Sequence, residues 1–243
     1  MRKIFIILML SVFSIVTAHP FKSEKELYEY YAEIDKKIFT EKNKPIIRKK
    51  YPRKLTDKEL EQEQIPFSLK RYTVDEIVGN NKLVYNAFNY QLMSISQINE
   101  NNKEEGVIRT FDEDENLISI AYIENSKGVM GIYREYYPWG VLKNETPYYT
   151  SEINGKLKNY YPDGLLKEEY TYYNNKKEGL ATMYYESGQK FAIENYKNDL
   201  KNGDYYMYYE NGNLGMKAFF VNGKRKGTIE FYEEDGKKIE KNK

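Results

Sequence analysis

Acid–base and nucleophilic chemistry at neutral pH draws mostly on histidine, cysteine or paired carboxylates, and this sequence is poor in the first two. His19 is the single histidine and there is no cysteine. A hydrolytic triad and a thiolate nucleophile are therefore excluded in practice, and zinc lacks its usual ligands. Carboxylates are plentiful, but a paired-acid hydrolase needs two of them held in one cleft, and here they scatter over turns and polar strand positions. Asp112, Asp114 and Asn116 match the first ligands of a calcium loop. Leu117 then stands where that loop needs glycine, and Ile123 where the bidentate glutamate belongs. A polar hairpin turn is expected there instead. No enzymatic activity, no cofactor and no metal site are expected.

Aromatic surface is what the chain does supply, with 26 Tyr and 11 Phe. The rings stand in columns. Phe111, Tyr136, Tyr160, Tyr184, Tyr208 and Tyr232 recur at one position of a repeating unit, beside a second column of Tyr137, Tyr161, Tyr185 and Tyr209. Adjacent strand residues point to opposite faces, so one column is expected on a packed face and the other on a wetter one. Tyr136, Tyr160, Tyr184, Tyr208 and Tyr232 are the candidate binding surface, a ladder along which a partner chain or glycan lies. The purely structural alternative is that cross-strand aromatic pairs stabilise a sheet without any ligand.

The unit that carries these columns is set by glycine. Gly131, Gly155, Gly179, Gly203 and Gly227 follow one another every 24 residues, with Gly106 one residue out of step. Gly140, Gly164, Gly188, Gly212 and Gly236 form a second series in the same register. Between them the wording recurs as GKLKNYYPDG, GLATMYYESG and GDYYMYYENG. Aromatic runs bounded by S-G, N-G and D-G pairs are hairpin signatures, so each unit reads as two strands and two turns. Leu157, Ala181, Met183, Tyr185, Met207, Tyr209, Ile229 and Phe231 alternate with Arg134, Lys156, Lys158, Asp204 and Glu230. The first set marks the packed face and the second the wetter one. Five complete units predict ten strands over 106–243.

Upstream the pattern changes. Arg2 and Lys3 precede an apolar run from Ile4 to Leu10 that continues through Val12, Phe13, Ile15 and Val16. This reads as a secretory signal peptide over 1–18, with Val16 and Ala18 at the cleavage positions and His19 as the new N-terminus. The run is too short for a membrane span. Ser23 and Glu26 form a capping box before Leu27, Tyr31, Ile34 and Ile38, whose spacing makes one helical stripe. That helix is expected to cap the array by packing on a degenerate first repeat over 81–105, which includes Leu83, Val84, Tyr85, Phe88, Leu92 and Ile95. Between helix and repeats, Lys42 to Lys58 is strongly basic and interrupted by Pro45 and Pro52. It is either a solvated linker or an attachment to an anionic surface.

The repeat pattern, Gly-x4-Tyr-Tyr-x2-Gly followed by an apolar residue and a late aromatic, resembles the bacterial variant of the membrane occupation and recognition nexus (MORN) repeat over about 106–243. The resemblance implies a hairpin-built antiparallel sheet without catalysis, serving as a scaffold for protein or lipid contact. Bacterial members are often labelled antitoxins, which implies a cytoplasmic partner.

The fold class expected is mainly β, an elongated antiparallel sheet of consecutive β-hairpin repeats with an N-terminal α-helical segment. Its divisions are a signal peptide over 1–18, a charged helical and linker segment over 19–80, the degenerate repeat over 81–105 and the array over 106–243. The chain has 38 basic residues, two of them in the leader, against 37 acidic ones, a balance that argues against nucleic-acid binding. The expectation is an exported protein, periplasmic, cell-surface or secreted and not lipid-anchored, that binds a protein partner. Glycan binding, a membrane-surface role through Lys42 to Lys58, and antitoxin-like inhibition are the alternatives. Cage-forming wall-binding hairpins use several tryptophans, and Trp139 is the only one here.

Overall fold

The structure is a computed structural model and describes residues 21, 23–39, 73–86, 91–124 and 127–240. The proposed leader, His19, Phe88 and the basic stretch from Lys42 to Lys58 lie outside those residues. One helix, α1 (Glu24–Phe39), precedes the strands. The first strands are β1 (Thr73–Val78), β2 (Asn81–Asn86), β3 (Leu92–Ile98), β4 (Glu104–Phe111), β5 (Leu117–Glu124), β6 (Gly128–Tyr136), β7 (Leu142–Tyr149) and the short β8 (Glu152–Ile153). They continue with β9 (Gly155–Tyr160), β10 (Leu166–Tyr173), β11 (Lys176–Tyr184), β12 (Lys190–Lys197), the short β13 (Leu200–Lys201), β14 (Gly203–Tyr208), β15 (Leu214–Val221) and β16 (Lys224–Phe231). Among the described residues they form one antiparallel sheet whose strand order follows the chain, β8 and β13 lying off the main path. The repeats opening at Gly106, Gly131, Gly155, Gly179 and Gly203 give the ten strands that the periodicity predicts, and β16 opens a sixth.

The sheet also begins earlier than the repeats suggest. Strand β1 falls inside the stretch read from sequence as helix and linker, and pairs with β2 from Thr73↔Asn86 to Val78↔Asn81. Its sequence, TVDEIV, is too short and too acidic to stand out as a strand on its own; the partner hairpin supplies the ladder.

Two turn types alternate, and the sequence chooses each. At one rim a three-residue loop closes on glycine: the Tyr185 amide donates to the Gln189 carbonyl and the Gly188 amide to the Tyr185 carbonyl (2.8 and 2.9 Å), with Gly188 at φ 83°. That left-handed position penalises a Cβ. At the other rim Asn174–Asn175 and Asn198–Asp199 take positive φ without glycine, which short polar side chains tolerate. Each of these turns also bonds backward. The Asn175 amide donates to the Ile153 carbonyl and the Asp199 amide to the Lys177 carbonyl, while Asn175 Oδ1 and Asp199 Oδ1 accept from the Ile153 and Lys177 amides (2.7 and 2.8 Å).

The chain divides into two compact units. The N-terminal unit comprises Glu33–Glu152 and Lys158–Leu166, and the C-terminal unit comprises the residues before Glu33, Ile153–Leu157 and Lys167–Lys243. In the N-terminal unit Leu83, Tyr85 and Ile95 form a buried cluster joined by Val78, Leu92 and Phe111, and Val107, Ile120 and Met130 are buried too. In the C-terminal unit the buried strand residues are small or polar, namely Ala181, Ala192, Ala218, Thr182 and Glu194.

The second tyrosine column ties consecutive repeats together. In the N-terminal unit the Tyr137 hydroxyl donates to the Tyr160 carbonyl (3.0 Å). In the C-terminal unit Tyr185 donates to the Tyr208 carbonyl (2.8 Å) and Tyr209 to the Tyr232 carbonyl (2.9 Å). The acceptors belong to the first tyrosine column, where the ladder register shifts beside Phe111, Tyr136, Tyr184 and Tyr208. Such bulges disturb the local ladder, and the tyrosine hydroxyl adds a bond from one repeat to the backbone of the next.

Helix α1 starts as its capping residue dictates, with the Glu26 amide donating to Ser23 Oγ (3.2 Å). Leu27, Tyr31, Ile34 and Ile38 are all buried. The contacts that the helix makes reach beyond residues 81–105. In the C-terminal unit the Tyr31 hydroxyl donates to the Asn154 carbonyl (2.8 Å) and the Tyr28 hydroxyl accepts from the Lys156 amide (2.7 Å). In the N-terminal unit Ile34 lies against Gly131, Asp35 pairs with Arg134, and Arg109 donates to the Ile38 carbonyl (3.3 Å).

Two stability measurements follow. Replacing Tyr185 by Phe removes only the inter-repeat hydroxyl and should cost about 1 kcal/mol in urea unfolding. Arg134→Ala should cost on the order of 2 kcal/mol by leaving Asp35 and Glu145 without their shared cation. Hydrogen exchange should then speed up across 33–39 before it does so in β11 and β12.

Candidate binding face

Cross-strand register assigns the side chains to faces. In the N-terminal unit one row runs Leu83, Ile95, Arg109, Ile120, Arg134, Glu145 and Lys158 across successive strands. Helix α1 contributes Glu33–Phe39 to this face. Arg134 sits at its centre, giving Nη1 and Nη2 to the two Asp35 oxygens (2.9 and 2.7 Å) and Nε to Glu145 (3.2 Å). Its side chain is only 12% exposed. The fork geometry of arginine meets a carboxylate with two parallel bonds, and the second acid offsets the cost of bringing the cation out of water. Gly131, at φ 79°, lets the helix come close: a Cβ there would fall 2.6 Å from Ile34 Cγ2. Arg134, placed by alternation on the wetter face, is in fact covered by the helix. Arginine fills this column only in the first two repeats, as Arg109 and Arg134, before Lys158, Thr182, Tyr206 and Glu230; that signal does not name a partner 99 residues away.

In the C-terminal unit the corresponding row is Glu169, Thr182, Ile193, Tyr206, Lys217 and Glu230. Leu180 and Phe219 flank it and are 48% and 45% exposed. The opposite face carries the buried alanines and a network of lysine, glutamate and tyrosine. Lys201 pairs with Glu194 (2.7 Å), which also accepts from the Tyr196 hydroxyl. Lys177 Nζ lies 3.7 Å from the centre of the Tyr170 ring and 5.1 Å from that of Tyr196. This two-ring cation site is filled by the chain's own lysine.

The candidate ladder residues are all half-buried. Tyr160 donates to Glu145 Oε2 (2.8 Å) and Tyr232 to Glu230 Oε2 (2.6 Å). Tyr208 packs beside Tyr206, ring centres 6.5 Å apart, and Tyr184 holds the matching place in its repeat. Tyr136 lies beside the Arg134 cluster, and burial raises its pKa. Phe111, at the head of the column, joins the apolar cluster of the N-terminal unit. Asp112 makes the expected polar turn: its Oδ1 accepts from the Asp114 and Asn116 amides (3.0 and 2.8 Å). Among the described residues no acidic or histidine cluster has a metal-binding arrangement, and no helix is long and apolar enough to cross a membrane.

Burial, helped by Glu168, pushes the Tyr170 hydroxyl well above the usual tyrosine range; burial, then the hydrogen bond to Glu194, does the same for Tyr196. Tyr172 and Tyr205 are shifted upward by burial too. The folded state therefore holds these protons more tightly than the unfolded chain. The sign gives stability that is intact below the unfolded tyrosine pKa of about 10 and lost as pH rises toward the folded values. Urea midpoints should be level between about pH 7 and pH 9 and fall beyond about pH 10. A phenolate absorbance titration should show the buried rings ionising only as the sheet unfolds.

No curated protein matches the chain in sequence. A family model described as the MORN repeat variant matches residues 153–175, 177–198 and 201–222. Each match runs from just past one of these rim turns, at Thr150–Ser151, Asn174–Asn175 or Asn198–Asp199, to the next, so it contains one rim loop closed by glycine and the two strands that loop joins. MORN repeats are in general non-catalytic and suggest a repeat-based binding or scaffold role. Over 153–222 the chain is similar to three consecutive MORN-variant repeats.

Proposed function

We propose that this chain is an exported, non-catalytic scaffold that binds a protein partner on the helix-side face of its hairpin sheet. One observation carries the reading. That face binds an amphipathic helix in the N-terminal unit, through Gly131 and Arg134, and leaves Leu180 and Phe219 open on the same columns in the C-terminal unit. Large exposed apolar side chains on matching columns suit a partner surface, and a repeat array multiplies the contact. Tyr184 and Tyr208 border the open columns, which gives the tyrosine ladder a role at the edge of the contact. Export rests on the charged, apolar and small-residue pattern of residues 1–18.

Fractionating the producing cell, with pull-down from envelope and medium, tests compartment and partner together. Recovery in the cytoplasm with the leader intact would overturn export. Replacing Tyr160, Tyr184 and Tyr208 together with serine should weaken partner capture while the sheet still melts cooperatively. Undiminished capture would remove the ladder from the contact.

A second reading has its own observation. Trp139 is 60% exposed and stacks on Tyr137 with ring centres 4.8 Å apart and planes 5° from parallel. Its Nε1 donates to the Pro162 carbonyl (3.1 Å), which fixes the ring. A rigid, exposed indole is a platform for a sugar ring. Trp139→Ala should abolish sedimentation with purified wall glycan if that is the ligand, and leave protein capture unchanged.

A further inference from the structure

The repeat makes positions in the two units equivalent, and equivalence tells what the open columns accept. Gly179 stands two periods after Gly131, Leu180 two after Ile132, Tyr206 three after Arg134 and Phe219 three after Pro147. In the N-terminal unit these columns are closed. A Cβ on Gly131 would strike Ile34 of α1, and Pro147 is fully buried. In the C-terminal unit a Cβ on Gly179 would meet nothing within 4 Å, and Leu180 and Phe219 are exposed. The strand pairing that supports the columns is unchanged: Leu180↔Asn195 and Thr182↔Ile193 repeat the pairing of Ile132↔Pro147 and Arg134↔Glu145.

We propose that the columns at Gly179, Leu180, Tyr206 and Phe219 form a second seat for an amphipathic helix, supplied by a partner protein and built like α1. The partner helix carries an apolar stripe with the spacing of Leu27, Tyr31, Ile34 and Ile38, and an acid beside it in the place of Asp35. Charge selects the acid. In the occupied seat the cation that meets Asp35 is Arg134 on β6; in the open columns that position is Thr182 two periods on and Tyr206 three periods on, and the cation is Lys217, directly across the ladder from Tyr206 on β15. Lys217 Nζ lies 5.8 Å from the centre of the Tyr206 ring, so a carboxylate reaching the seat meets an ammonium group beside an aromatic surface. The acid therefore sits one strand over from its place in α1. A helix docked on a groove through residues on one stripe is an established mode of peptide recognition, and glycine at the base of the seat admits the close approach. The inference deepens the scaffold reading and rests on it for the partner being a protein.

The probe is the α1 sequence itself, residues 23–39, made as a peptide with a lactam between Lys25 and Glu29. Those side chains form an exposed ion pair one turn apart (3.6 Å), so the link pre-forms the helix without touching the stripe. With the full chain, the labelled peptide should bind saturably, and hydrogen exchange should slow over 179–183 and 217–220. Leu180→Asp combined with Phe219→Asp changes exposed side chains and should weaken binding by about tenfold or more. Lys217→Glu should weaken it less, and an Asp35→Lys peptide should recover part of that loss. No saturable binding to the natural chain up to about 1 mM would overturn the seat, as would binding unaffected by the double substitution. Protection confined to 107–148 would overturn it as well, because the peptide would then have exchanged with α1. The scaffold reading fails separately: a chain that captures an envelope protein equally well with and without the double substitution keeps the scaffold and loses the seat.

Discussion

Three junctions between consecutive repeats depend on a donor that the preceding repeat supplies. The hydroxyl of the second column donates to a carbonyl of the first column in the next repeat, as from Tyr185 to Tyr208 and from Tyr209 to Tyr232. This bond matters more here than in a sandwich, because the C-terminal repeats bury alanine, threonine and a paired glutamate in place of a bulky apolar core. With little apolar area to bury, cross-strand pairs and satisfied backbone groups carry the cohesion. The backward bonds from the asparagine turns serve the opposite rim in the same way.

The N-terminal unit meets the same constraint differently. Leu83, Tyr85, Ile95 and Phe111 cluster on the helix-side face, and the Arg134, Asp35 and Glu145 group makes a fixed polar contact beside the apolar stripe. The ion group sets where the helix lies, since sliding it by one turn would strand an arginine that is nearly closed off from water. Apolar contact supplies attraction without much direction; the bidentate pair supplies direction.

Much of this was legible in the sequence, for reasons that differ by element. The glycine series fixed the repeats because a left-handed φ leaves few other choices, and Gly188 occupies such a position. Ser23 announced the start of α1 because capping is a local bond. The place of the helix was not legible. Its stripe says that one side is buried and nothing about which surface buries it, and Arg134 reads as a solvated strand residue until a carboxylate from far up the chain is brought to it. The tyrosine columns were visible, but alternation sorts rings only into faces. It does not tell that one column spends its hydroxyls on the backbone of the next repeat, or that Phe111 belongs to an apolar cluster while Tyr160 binds a carboxylate. Strand β1 was missed because a six-residue acidic segment has no signal of its own without the hairpin that pairs with it.

The tyrosine link has a consequence for how such a chain changes over generations. Donor and acceptor sit at fixed places in the unit, so the C-terminal side of one repeat fits the N-terminal side of any other that keeps both. Duplicating or deleting one 24-residue block leaves every remaining junction with its bond intact, and the altered gene product needs no compensating substitutions elsewhere. Only a block that contacts α1 is irreplaceable, because Gly131 and Arg134 occur in a single copy with their partners. Array length should therefore vary among relatives downstream of the helix seat and hold constant at it, and the lineage adjusts the reach of its open face by counting blocks.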